Sequence, residues 1–118
     1  MRYMISIFSD EQAWANLSPA DIEKEMHAYF AYSTALREAG KLVAGEELHP
    51  GHTGKTIRVA AAGAKVTDGP FADIKEQFGG FYLIDVASEA EAIEWAKKCP
   101  GAKHGAVELR ACVDHGAG

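Results

Sequence analysis

Two capped helix starts, each downstream of a strand-like apolar run, constrain this chain more than any other feature. Residues 2 to 8, RYMISIF, carry β-branched and aromatic side chains at both parities, the pattern of a strand covered on two faces. Downstream, Ser18 can cap free backbone N–H groups, Pro19 suits the first helical position, and Asp21 faces the positive end of the helix dipole. The helix predicted there ends near Gly40. The second unit is FYLIDVA, again apolar at both parities apart from Asp85, followed by Ser88-Glu89-Ala90-Glu91, a capping box that starts a helix running through Cys99 to the stop at Pro100-Gly101. Between these units, KLVAGEE and TIRVAAA read as strands and AKVT as a short hairpin return, while AVELRACV closes the chain as an alternating strand.

The resulting order, β-α-β-β-α-β with an extra hairpin, predicts an α+β domain over residues 1–113 in the ferredoxin-like split β-α-β arrangement, with both helices on one side of an antiparallel sheet. Residues 114–118, DHGAG, read as a flexible tail. In the first helix, Ile22, Met26, Tyr29, Ser33 and Leu36 recur at spacings of three and four and are expected to face the sheet. The other sheet face is left uncovered although its strands carry apolar residues there, so a homodimer is the physical expectation.

Composition narrows the function classes. With 118 residues, 47% of them apolar, the chain is sized for one domain with a modest core. A net charge of -5 with interspersed signs offers no basic stripe for nucleic acid. The opening apolar run is too short for a secretory signal and no segment has the length of a membrane span, so a cytoplasmic location is expected. Cys99 and Cys112 share no metal-ligand spacing and are expected to be reduced and structural.

Several segments have the look of chemistry. Gly51-His52-Thr53-Gly54-Lys55-Thr56 has its first glycine two positions too close for a phosphate-binding P-loop, and a strand follows it where a helix is required. Glu46, Glu47, His49 and His52 are metal-ligand types, but a Pro/Gly loop gives no framework to converge them; no metal and no cofactor are expected. His27 could serve as a general base if a carboxylate orients it, yet by the ~100° advance per residue it lies off the apolar stripe and points toward solvent or a neighbouring subunit.

The segment from Asp68 to Gly80 holds the strongest signal. Asp68-Gly69-Pro70 is explained as a tight turn by its aspartate, its glycine and its proline. Phe71, Lys75 and Glu76 follow closely, and a loop bearing acid, base and aromatic groups can form one wall of a small-molecule pocket. Glu108 and Arg110 share a face of the last strand, either lining that pocket or forming a salt bridge on a solvent-facing edge or at the dimer seam.

These residues carry a resemblance. DGPFADIKEQFGGFYLIDV, preceded by EAGKLVAGEEL and followed by EAIEWAKKCP and VELRA, resembles the DGPF branch of the YCII-related family over nearly the whole chain. Asp73, Ile74 and Phe78 stand where that family commonly has glutamate, threonine and leucine. The resemblance implies a dimeric α+β barrel and a pocket with a histidine–aspartate pair, which here would be His27 as base and Asp68 as its orienting partner. It points to two classes of function. One is a small-molecule-binding protein, as a cofactor-independent acid–base lyase or isomerase of a small cyclic metabolite. The other is a non-catalytic ligand-sensing or interaction domain acting with a sigma factor.

Overall fold

A computed structural model describes residues 1–116, and the last two positions of the expected tail lie outside the described residues. The class is α+β with antiparallel sheets. In chain order the elements are β1 (Arg2–Asp10), α1 (Glu11–Ala15), α2 (Pro19–Glu38), β2 (Leu42–Glu47), a 3₁₀ turn at Gly51–Thr53, β3 (Lys55–Ala60), β4 (Gly63–Asp68), β5 (Glu76–Asp85), α3 (Glu89–Lys98), α4 (Gly101–His104) and β6 (Ala106–Ala111).

The four-stranded sheet has the order β2-β5-β1-β6, and every neighbour is antiparallel. Alternation along β1 divides its two faces. Tyr3, Ile5 and Ile7 enter the core with Tyr32 and Leu36 of α2, Ile84 of β5, and Ala92 and Ala96 of α3. Met4 and Phe8 point to the opposite face, in register with Leu83 and Phe78 of β5. Helices cover only the first face, and the molecule is correspondingly flat, 48 × 46 × 18 Å.

Local signals act as the residue types require. Ser18 accepts from the Asp21 N–H, and Ser88 from the Glu91 N–H, each at 3.2 Å. The second box closes one residue further back than the simple pattern, because the Glu91 carboxylate accepts the N–H of Ala87 at 2.9 Å. Gly40, at φ +73, ends α2 in a Schellman arrangement: its N–H bonds the Arg37 carbonyl and the Lys41 N–H bonds the Leu36 carbonyl, both at 3.0 Å.

The structure departs from the sequence reading at five places. β5 begins at Glu76, ahead of the glycine pair, because residues 76–78 pair with the end of β1 across an irregularity between Ile7 and Phe8. β3 and β4 leave the main sheet and pair only with each other. Met26 is 62% exposed, whereas Tyr29 and Leu36 of the expected stripe do pack on the core, joined there by Tyr32, which meets Tyr82 and Trp95 edge to face. Cys99 is buried as expected, but Cys112 is exposed, lying just past the end of β6. The short helices α1 and α4 were not signalled by periodicity, each being too brief to show it.

No helix among the described residues is long and apolar enough to cross a membrane.

Candidate functional site

The turn at Asp68 to Pro70 leaves the hairpin through a set of backbone contacts. Gly69 has φ +102, a conformation that only glycine adopts without strain. Its N–H donates to the Gly54 carbonyl at 2.8 Å, and Thr56 Oγ1 donates to its carbonyl at 3.0 Å. The chain then curls through residues 70–75. This curl is held from β5: Gln77 Nε2 donates to the carbonyls of Ala72 at 3.0 Å and Ile74 at 2.6 Å.

Two open clefts flank the curl. One, of about 490 Å³, has polar and apolar surface in similar shares but carries the charged or ionisable side chains of Asp10, Glu11, His52, Asp73 and Lys75, and is the polar cleft of the two. The other, of about 480 Å³, is apolar and is lined by Phe8, Leu48, His49, Phe71, Ile74 and Phe78, among others. Pro70, Ile74 and Gln77 belong to both walls. In the apolar cleft the Phe8 and Phe78 rings stand 5.7 Å apart, tilted by 50°, a favourable aromatic contact. The guanidinium of Arg58, on β3, lies 5.1 Å from the centroid of the Phe71 ring.

Not all the charges of the polar cleft are free to act on a ligand. Asp10 is the N-cap of α1 and accepts from the N–H groups of Gln12 and Ala13. Glu11 accepts the N–H of Gly51 at 2.8 Å and so ties α1 to the 3₁₀ turn. His52, Asp73 and Lys75 have no hydrogen bond or ion pair among the described residues and remain available. Among the described residues no three His, Cys, Asp or Glu side chains gather closely enough to hold a metal ion, and Glu46, Glu47, His49 and His52 do not converge.

Of the residues singled out from sequence, Phe71 and Lys75 line the clefts, one on each side of the curl. Asp68 is 84% exposed and pairs across the hairpin with Lys55. His27 is 78% exposed, with Glu23 as its carboxylate at 3.8 Å, so within one chain His27 and Asp68 have different partners. Glu76 sits opposite Asp10 at the start of β5. Glu108 and Arg110 pair with each other at 2.8 Å on β6, an edge strand of the sheet. None of these five lines either cleft.

The sequence reading missed Phe8, Asp10, Asp73 and Phe78 as cleft residues and considered His52 only as a metal-ligand type in a Pro/Gly loop. Phe8 and Phe78 carry a recoverable signal, an aromatic at the same height on two paired strands, but only once the register is known. A second histidine–carboxylate pair was invisible for the same reason: His104 Nε2 lies 2.8 Å from Glu25 Oε1, joining α4 to α2.

The interior behind the sheet is chemically quiet. Tyr32 donates to the Trp95 carbonyl at 2.7 Å, and Ser33 and Tyr82 share a 2.8 Å hydroxyl contact. Burial pushes the phenols of Tyr29, Tyr32 and Tyr82 and the thiol of Cys99 above their ordinary values, which keeps all four protonated.

Among known proteins, the chain is 38% identical over 112 residues to an uncharacterized protein of Rhizobium meliloti (strain 1021), covering 93% of this chain and 90% of that one. Among solved structures it is similar to 5-chloro-2-hydroxyhydroquinone dehydrochlorinase from Burkholderia phenoliruptrix AC1100 in complex with 2,5-dihydroxybenzoquinone. That match has 17% identity and a TM-score of 0.47 over 96% of this chain and 94% of that one. The YCII-related domain matches residues 1–115, and the chain belongs to that family.

Proposed function

We propose that this YCII-related protein binds a small molecule with a flat ring in the cleft between Phe8, Phe71 and Phe78, and that it is a cofactor-independent acid–base enzyme, a lyase or isomerase of a small cyclic metabolite. The observation that carries the reading is the curl at residues 70–75, a single wall shared by an aromatic cleft and a charged one. Aromatic side chains bind a ring face, while His52, Asp73 and Lys75 across the wall offer groups that can take up or release protons. Asp68 and His27, the pair that the family resemblance implies, are both exposed within one chain, so this reading assigns them chemistry only across two copies.

The same reading takes the sheet order as the ferredoxin-like split β-α-β arrangement in a single cytoplasmic domain of the DGPF branch. A homodimeric barrel would then close over the face carrying Met4, Phe8, Phe81 and Leu83. What supports it is the apolar character of that face and its lack of a helical cover.

The experiment is a thermal-shift series with neutral ring compounds such as phenol and catechol. The expected result is a rise in Tm that is reduced in Phe78→Ala. No rise with any ring compound, or a rise untouched by Phe78→Ala, overturns the cleft reading.

One observation favours a second reading, a non-catalytic interaction domain working with a sigma factor or similar protein. The β3–β4 hairpin exposes Ile57, Val59 and Val66, and a two-stranded hairpin with an uncovered apolar face is marginal by itself. That reading requires partner binding to fall when Val59 becomes lysine, with ring binding unchanged.

A further inference from the structure

We propose that Arg58 is a specificity-determining residue of the apolar cleft and that, through its stack on Phe71, it selects rings carrying negative charge over neutral ones. The inference rests on the ring-binding reading of that cleft and names the class of ligand it takes.

Three observations meet here. The Arg58 guanidinium lies 5.1 Å from the Phe71 ring centroid. Phe71 nevertheless remains 76% exposed and forms part of the cleft wall, so ring surface not covered by Arg58 is left for a ligand. A cation against one face of an aromatic ring draws electron density toward itself, which leaves the other face less negative and a better seat for an electron-rich ring.

The charges around the cleft agree. No aspartate or glutamate lines the apolar cleft, in a chain whose net charge is -5, whereas three carboxylates line its polar neighbour. Among the described residues no carboxylate pairs with Arg58, in contrast to Lys55 on the same strand, which is neutralised by Asp68. Lys65 is the register partner of Arg58 across the hairpin, which adds a second cation to this place, and among the described residues neither is paired with a carboxylate. An anionic aromatic, such as a phenolate, an aryl carboxylate or an aryl sulfonate, meets a favourable field there and no carboxylate to repel it.

The test is a fluorescence titration of the full chain with two dyes of the same aromatic shape, anilinonaphthalene sulfonate and its neutral counterpart N-phenylnaphthylamine. The variants are Arg58→Met, Phe71→Ala and, as a control for charge alone, Lys65→Met. The proposal expects wild type to bind the sulfonate more tightly than the neutral dye. It expects Arg58→Met to weaken the sulfonate by about two- to five-fold while sparing the neutral dye, the size of one exposed cation–π contact. Phe71→Ala should weaken both, and Lys65→Met should act less than Arg58→Met. If both dyes bind but Arg58→Met changes neither, changes both equally, or does no more than Lys65→Met, selection by Arg58 is overturned and the ring-binding reading stands. If wild type binds neither dye, both are overturned.

Discussion

Gln77 donates its side-chain amide to the carbonyl of Ile74 at 2.6 Å, so a residue of β5 sets the shape of the curl that divides the two clefts. Its second hydrogen goes to Ala72, and no residue of the curl itself closes the turn in that way. Gln77→Ala removes both bonds and should lower stability by about 1 kcal/mol in a denaturant titration. It should also weaken ring compounds in the apolar cleft. An affinity unchanged beside that loss of stability would separate the curl from binding.

Gly105 shows how tightly α4 is set against the sheet. A methyl group built there would stand 2.1 Å from the Phe8 carbonyl oxygen, a backbone atom that cannot rotate away. Gly105→Ala must therefore shift the start of β6 relative to β1, at a cost of about 1–3 kcal/mol or more. Thermal unfolding should show the loss directly, and the Phe8 side of the apolar cleft should be disturbed with it.

Acid stability should depend on Glu91. Its carboxyl is held below the ordinary carboxylate range, first by the N–H of Ala87 and then by Lys41, whose ammonium lies 3.2 Å away. A carboxyl depressed in the folded state contributes stability that is fully present above its unfolded value and is lost as pH falls through the folded one. Chemical denaturation from neutral pH down through the carboxylate range should show a decline that is shallower in Glu91→Gln, which is less stable than wild type at neutral pH. Parallel curves would remove Glu91 from the account.

The pair between Asp68 and Lys55 lies on the surface and should contribute little to the fold. Asp68→Asn is expected to change stability by no more than about 0.5 kcal/mol. If the Asp68 carboxylate acts on a ligand across two copies, the variant loses turnover or ring affinity while keeping this stability. If it only shapes the hairpin, neither changes.

Local chemistry was legible in the residues. Caps at Ser18 and Ser88, the stop at Gly40, and the positive φ of Gly69 follow from short-range sterics and hydrogen bonding that neighbours in sequence decide. The two long helices α2 and α3 and most of the strand runs could be read on that basis, while the family was carried by the resemblance of the segment from Asp68 onward. Of the candidate site, Phe71 and Lys75 were legible because they sit in the segment whose residue types already suggested a loop with chemistry.

Tertiary structure decided the rest. Whether Glu76 to Phe78 is loop or strand depends on pairing with the end of β1, an interaction across the length of the chain that overrides the turn character of Gly79-Gly80. Met26 lies on the apolar stripe of α2 and yet is exposed, while Tyr32 beside that stripe is buried against Tyr82 and Trp95, partners that only the tertiary structure brings to it. The clefts themselves require Phe8 to meet Phe78, and loops 48–54 and 70–75 to come together. Distances between such segments are set by sheet register and loop closure, which no single stretch of sequence contains.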